Sequence, residues 1–90
     1  MTIRVLVADD QAMIRGALAG LLDLESDIEV VAQAADGAQA LEELARLVSA
    51  DAPTRASAPI DVAIVDIEMP RMDGITATQA IRSRFPGVRV

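Results

Sequence analysis

The sequence predicts a three-layer α/β fold, a parallel sheet with helices packed on both faces. Short aliphatic runs of strand length alternate with segments whose apolar residues recur at helical spacing. The apolar share is 52%, with Phe85 as the sole aromatic residue. A core of Val, Ile, Leu and Ala suits parallel strands covered on both sides. Alternation of this kind implies βαβ crossovers and so a parallel sheet. Ninety residues make one small domain.

The first strand is Ile3 to Ala8, an aliphatic run broken by Arg4 that stops at Asp9-Asp10. Met13, Ile14, Ala17, Leu18, Leu21 and Leu22 then mark a helix from about Gln11 to Leu24. Gly16 and Gly20 lie inside it and cost roughly 1 kcal/mol each against alanine, so close approach of helix to sheet is expected there. Ile28 to Ala34 reads as the second strand. Asp36-Gly37 begins a second helix marked by Leu41, Leu44, Leu47 and Val48, with Glu42 and Arg46 as an outward i, i+4 pair.

Residues 49–59 contain two prolines and no periodicity, and read as a flexible surface loop, long for such a connection. Ile60 to Val65 is the third strand and ends on Asp66. A third helix follows from about Ile75 to Arg84, with Asp73 as its cap and Arg82 and Arg84 set against the dipole of its last turn. Phe85-Pro86-Gly87 stops it, and Val88-Arg89-Val90 begins a fourth strand.

The net charge of −6 repels phosphate backbones, so nucleic-acid contact by this segment is not expected, whereas a divalent cation is attracted. All eight basic residues are arginines. Without cysteine or histidine there are no disulfides, no His/Cys zinc sites and no thiol catalysis. Met1 to Val5 does not resemble a signal peptide, and no apolar run reaches membrane-spanning length. A soluble cytoplasmic domain is the expectation.

In an open parallel sheet, ligands bind beyond the carboxyl ends of the strands. Asp9 and Asp10 end the first strand and Asp66 ends the third. If those strands are neighbours, three carboxylates converge. Their repulsion is costly unless a cation sits among them or some carboxyls hold a proton. An all-oxygen ligand set selects a hard ion such as Mg²⁺ over zinc or copper. Taken singly, an Asp at a strand end is more often a turn or cap residue. That explanation does not cover Asp9-Asp10, Asp66, Glu68-Met69-Pro70 and Asp73-Gly74 together. Met13, Met69 and Met72 read as core and loop packing rather than a partner surface.

Val5-Leu6-Val7-Ala8-Asp9-Asp10-Gln11 and Val65-Asp66-Ile67-Glu68-Met69-Pro70-Arg71-Met72-Asp73-Gly74 resemble the two signature segments of bacterial two-component response-regulator receiver domains, the CheY-like family. Leu22 to Val31 resembles the NarL/FixJ (LuxR-type) branch, whose members carry a C-terminal helix-turn-helix. The resemblance implies a flavodoxin-like doubly wound sheet of order 2-1-3-4-5. Of it the chain would hold three βα units and the start of the fourth strand.

The resemblance further implies that Asp66 is the phosphoacceptor, served by a sensor histidine kinase or a small phosphodonor. Asp10 and Asp66 would ligate Mg²⁺ (or Mn²⁺) directly, Asp9 largely through water, and Glu68 through its backbone carbonyl. Pro70 would fix the loop, Gly74 would permit the tight turn into the third helix, and the Glu68 side chain would modulate dephosphorylation. Such a domain is not an enzyme in its own right, though it assists its own phosphorylation and dephosphorylation.

The family's Ser/Thr after strand four, Lys after strand five and aromatic switch residue have no counterpart in the sequence. That reads as a regulator truncated within its fourth strand, with DNA bound through a further domain and self-association favoured at the bared sheet edge. Two alternatives have a physical basis. One is a non-phosphorylated pseudo-receiver acting as a dimerisation module. The other is an Mg²⁺-dependent phosphatase of the haloacid-dehalogenase type, which expects Asp where Glu68 stands.

Overall fold

Strand β1 (Ile3–Ala8) occupies the middle of a three-stranded parallel sheet, between β2 (Ile28–Ala34) and β3 (Val62–Val65). This is a computed structural model describing residues 2–51, 60–67, 69 and 72–90. The central place of β1 accounts for its composition. Val5, Leu6, Val7 and Ala8 are all buried, so both faces of the strand must be apolar. On the edge strand β2, Glu29 and Gln33 are exposed while Ala32 and Ala34 are buried. The β1–β2 register steps from Val5↔Val30 to Leu6↔Ala32, so Val31 forms a bulge. The order β2-β1-β3 agrees with the first three strands of the expected doubly wound sheet.

Three helices connect and cover these strands: α1 (Ala12–Asp23), α2 (Gly37–Asp51) and α3 (Gly74–Arg84). The start of α2 is held reciprocally. Asp36 Oδ1 accepts from the Gln39 N–H at 2.7 Å, while Gln39 Oε1 accepts from the Ala35 N–H at 2.5 Å. At α3, Asp73 Oδ1 caps the Thr76 N–H at 2.8 Å, as expected. Arg82 and Arg84 lie in its last turn, and the Arg84 guanidinium stands 5.4 Å from the Phe85 ring centroid.

The main core lies where α2 and α3 meet the sheet, with Leu6, Leu41, Leu44, Ile60, Ala63 and Ile81 in one buried cluster. The α1 side is thinner. Ala19 is its one buried residue, and Met13 is 86% exposed and Leu21 64% exposed. Met13 is therefore not core, whereas Met69 is buried and Met72 half-buried as anticipated.

Several expectations are corrected. Among the described residues nothing lies within 4 Å of a Cβ built on Gly16 or Gly20, so neither marks a close helix–sheet approach. Strand β3 begins at Val62 rather than Ile60. Just before it, Asp61 Oδ2 accepts from the Arg4 N–H at 2.9 Å, so a side chain takes the place of a ladder partner. Helix α2 continues through Asp51, absorbing the first residues assigned to the loop; residues 52–59 lie outside the described residues. Arg46 pairs with Glu43 at 2.5 Å and not with Glu42. The start of the fourth strand is present as a single parallel bridge, Val62↔Arg89. Among the described residues no helix is long and apolar enough to cross a membrane.

Candidate functional site

Parallel register brings the acids together. Ala8 pairs with Val65, so Asp9 and Asp66 are the next residues along two adjacent strands. The ladder continues past the strand ends: the Asp66 N–H donates to the Ala8 carbonyl at 2.9 Å and the Asp9 N–H to Ala34 at 3.0 Å. One carboxylate oxygen from each of Asp9, Asp10 and Asp66 lies within 4.8 Å of the others. Asp9 and Asp66 are half-buried and Asp10 is exposed. At that spacing, small side-chain rotations let one ion with oxygens at roughly 2.1 Å reach all three, and the all-carboxylate set suits a hard cation.

The chain on either side of Asp10 is tightly held. Asp9 Oδ1 accepts from the Gln11 N–H at 2.9 Å. The Arg15 guanidinium reaches back from α1 and donates to the Asp9 carbonyl at 2.7 Å. Sequence reasoning passed over Arg15, since its partner is a backbone atom and leaves no paired acid to find.

Gly74 is required by proximity. A Cβ there would collide with the Asp66 carbonyl oxygen and with Ile67 Cα, and its N–H donates to the Ile67 carbonyl at 2.7 Å. Gly37 has a similar constraint, for a Cβ would stand 2.6 Å from the Met72 carbonyl oxygen, which accepts the Gly37 N–H at 3.2 Å. An open cleft above the cluster is lined by Asp9, Asp10, Asp66 and Asp73, with Ile14, Ile67 and Ile75 among its apolar walls. The Thr76 backbone N–H, bonded to Asp73, holds the Asp73 carboxyl below the usual range. Glu68 and Pro70 lie outside the described residues.

Residues 5–90 match the response regulator receiver domain family. The chain belongs to that family. As a receiver it is a phosphoacceptor module of a two-component response regulator, and is not itself the catalytic part of its relatives. It is 40% identical over 89 residues to the protein-glutamate methylesterase/protein-glutamine glutaminase 1 of Paramagnetospirillum magneticum, covering 99% of this chain and 20% of that protein. Among solved structures, the receiver resembles the response regulator domain of Thermotoga maritima CheB, with TM-score 0.74 and 36% identity over 96% of this chain and 56% of that one. It also resembles the signal receiver domain of the response regulator NarL from Mycobacterium tuberculosis, with TM-score 0.77 and 37% identity over 99% of this chain and 63% of that one. The receiver thus spans about a fifth of the length of the curated relatives it matches.

Proposed function

We propose that this receiver accepts a phosphoryl group on Asp66 from the phosphohistidine of a sensor kinase, with Mg²⁺ held by Asp9, Asp10 and Asp66. The observation that carries the reading is the convergence of those three carboxylates at the carboxyl edge of β1 and β3.

An Asp66 carboxylate oxygen attacks phosphorus in line with the P–N bond of the donor. The new P–O bond forms as the P–N bond breaks, and the electron pair of that bond leaves on the imidazole nitrogen, the ring departing neutral because its other nitrogen already carries a proton. A bound divalent cation supplies charge compensation for the phosphoryl oxygens. The chain's own part is positional. The β1–β3 register aims Asp66 beside Asp9, and Gly74 packs against the Asp66 backbone while its N–H holds the next carbonyl, that of Ile67. Asp10 would give the cation a second carboxylate oxygen, and Asp9 would hold it largely through water. The Glu68 carbonyl would be a further ligand in this reading, its side chain would modulate dephosphorylation, and Pro70 would fix the loop after the acceptor.

What such a receiver controls in a longer protein has two supported readings. Identities of 38–45% to methylesterases favour a methylesterase output. The Leu22 to Val31 segment, with the likeness to the NarL receiver, favours a DNA-binding helix-turn-helix.

Phosphotransfer is tested by incubating the chain with phosphoramidate and Mg²⁺ and reading intact mass. One hydroxylamine-labile phosphoryl group is expected, absent from Asp66→Asn. Labelling that persists in Asp66→Asn would overturn the assignment, and no labelling of the wild type would favour the pseudo-receiver. Steady hydrolysis of a generic phosphate ester would favour the phosphatase.

A further inference from the structure

We propose that Arg15 is a positioning residue for the cation site, fixing the direction in which Asp10 presents its carboxylate. The inference rests on the Mg²⁺ reading given above.

Four bonds surround Asp10. Before it, the Asp9 N–H is held by the Ala34 carbonyl at 3.0 Å, and the Asp9 carbonyl by Arg15 Nη1 at 2.7 Å. After it, the Gln11 N–H is held by Asp9 Oδ1 at 2.9 Å, and the Gln11 carbonyl by the Arg15 N–H at 2.9 Å. Arg15 thus supplies two of the four, one from its side chain and one from its backbone. The peptide joining Asp9 to Asp10 is planar, so pinning its oxygen also sets the plane from which the Asp10 Cα departs. Asp10 is the exposed member of the acidic cluster, so little packing is available to fix it by other means. Helix α1 also begins without a side-chain cap at Gln11, leaving the Arg15 side chain as a tie between its first turn and the end of β1. A guanidinium can hold that bond from half-buried surroundings because it stays charged and its fork is rigid.

The charge of Arg15 works the other way. A cation close to the cluster repels a dication, so removing it should tighten metal binding if charge were its whole effect. Position and charge therefore predict opposite signs.

The test titrates Mn²⁺ into the wild-type chain, Arg15→Met, Arg15→Lys and Asp10→Asn, reading water-proton relaxation. Backbone amide exchange of Gln11 is followed in metal-free samples. Arg15→Met should bind Mn²⁺ roughly tenfold more weakly, on the scale of outer ligand supports, and exchange faster at the Gln11 amide, whose acceptor is Asp9 Oδ1. Arg15→Lys, which keeps one donor, should recover part of the affinity. If circular dichroism shows Arg15→Met unfolded, Arg15→Gln takes its place with the same expectation. Unchanged or tighter Mn²⁺ binding in the folded Arg15 variant, alongside lost binding in Asp10→Asn, would overturn the role of Arg15 and leave the site intact. Wild-type binding by Asp10→Asn would overturn the site itself, and this proposal with it.

Discussion

Gly74 presses its Cα against the carbonyl of Asp66, so closely that any side chain there would have to displace the Asp66 backbone. Gly74→Ala should destabilise the chain by about 1–3 kcal/mol, the usual range for forcing a methyl into filled space. The strain falls on Asp66 and Ile67, so phosphorylation by phosphoramidate should slow in the same variant. Urea denaturation and labelling rate check the pair. An unchanged denaturation midpoint would show that the loop yields without cost.

Gly16 lies mid-helix in α1, exposed, and among the described residues nothing lies within 4 Å of a built Cβ. Gly16→Ala should therefore stabilise the chain by about 0.5–1 kcal/mol through helix propensity and a less flexible unfolded chain. Thermal and urea midpoints should both rise. A fall in either would mean that the small residue serves something packed against that face.

The Asp73 cap gives a pH dependence whose sign is set by its direction. Its carboxyl lies below the ordinary value of 3.8 when folded, chiefly through the Thr76 backbone N–H. The folded state thus favours the charged form. The cap's contribution is complete above the unfolded pKa and fades as pH falls through the folded one. Asp73→Ala should melt earlier than wild type at neutral pH, and the difference should shrink under strongly acidic conditions. Melting curves from neutral pH into strong acid read this directly, and a constant difference would remove the cap from the acid limb.

Much of this architecture was legible in residue order, for reasons that differ by element. Ile3–Ala8 and Ile28–Ala34 end as expected since each aliphatic run is bounded by polar or turn residues. The meeting of Asp9, Asp10 and Asp66 followed from the rule placing ligands at strand ends, which needs adjacency of β1 and β3 and little else. Periodicity marked the apolar stripe of α1 but carries no record of what covers it, so the exposure of Met13 and Leu21 was not visible. Arg46 could choose between Glu42 and Glu43 because both spacings are neighbours on a helix. Ile60 and Asp61 looked like strand because burial and hydrophobicity are shared by residues just outside a ladder. Arg15 was hidden because a side chain bonded to a carbonyl has no partner type to search for.

The Gly37 amide belongs by sequence to the start of α2, yet its proton is held by the carbonyl of Met72, just ahead of α3. Its exchange with solvent therefore counts separations of Met72 from the start of α2 rather than fraying of its own helix. A single nitrogen-bound proton, on the connection after the far edge strand, becomes a clock for motion at the entry to α3. It can be read without touching any carboxylate in the cleft.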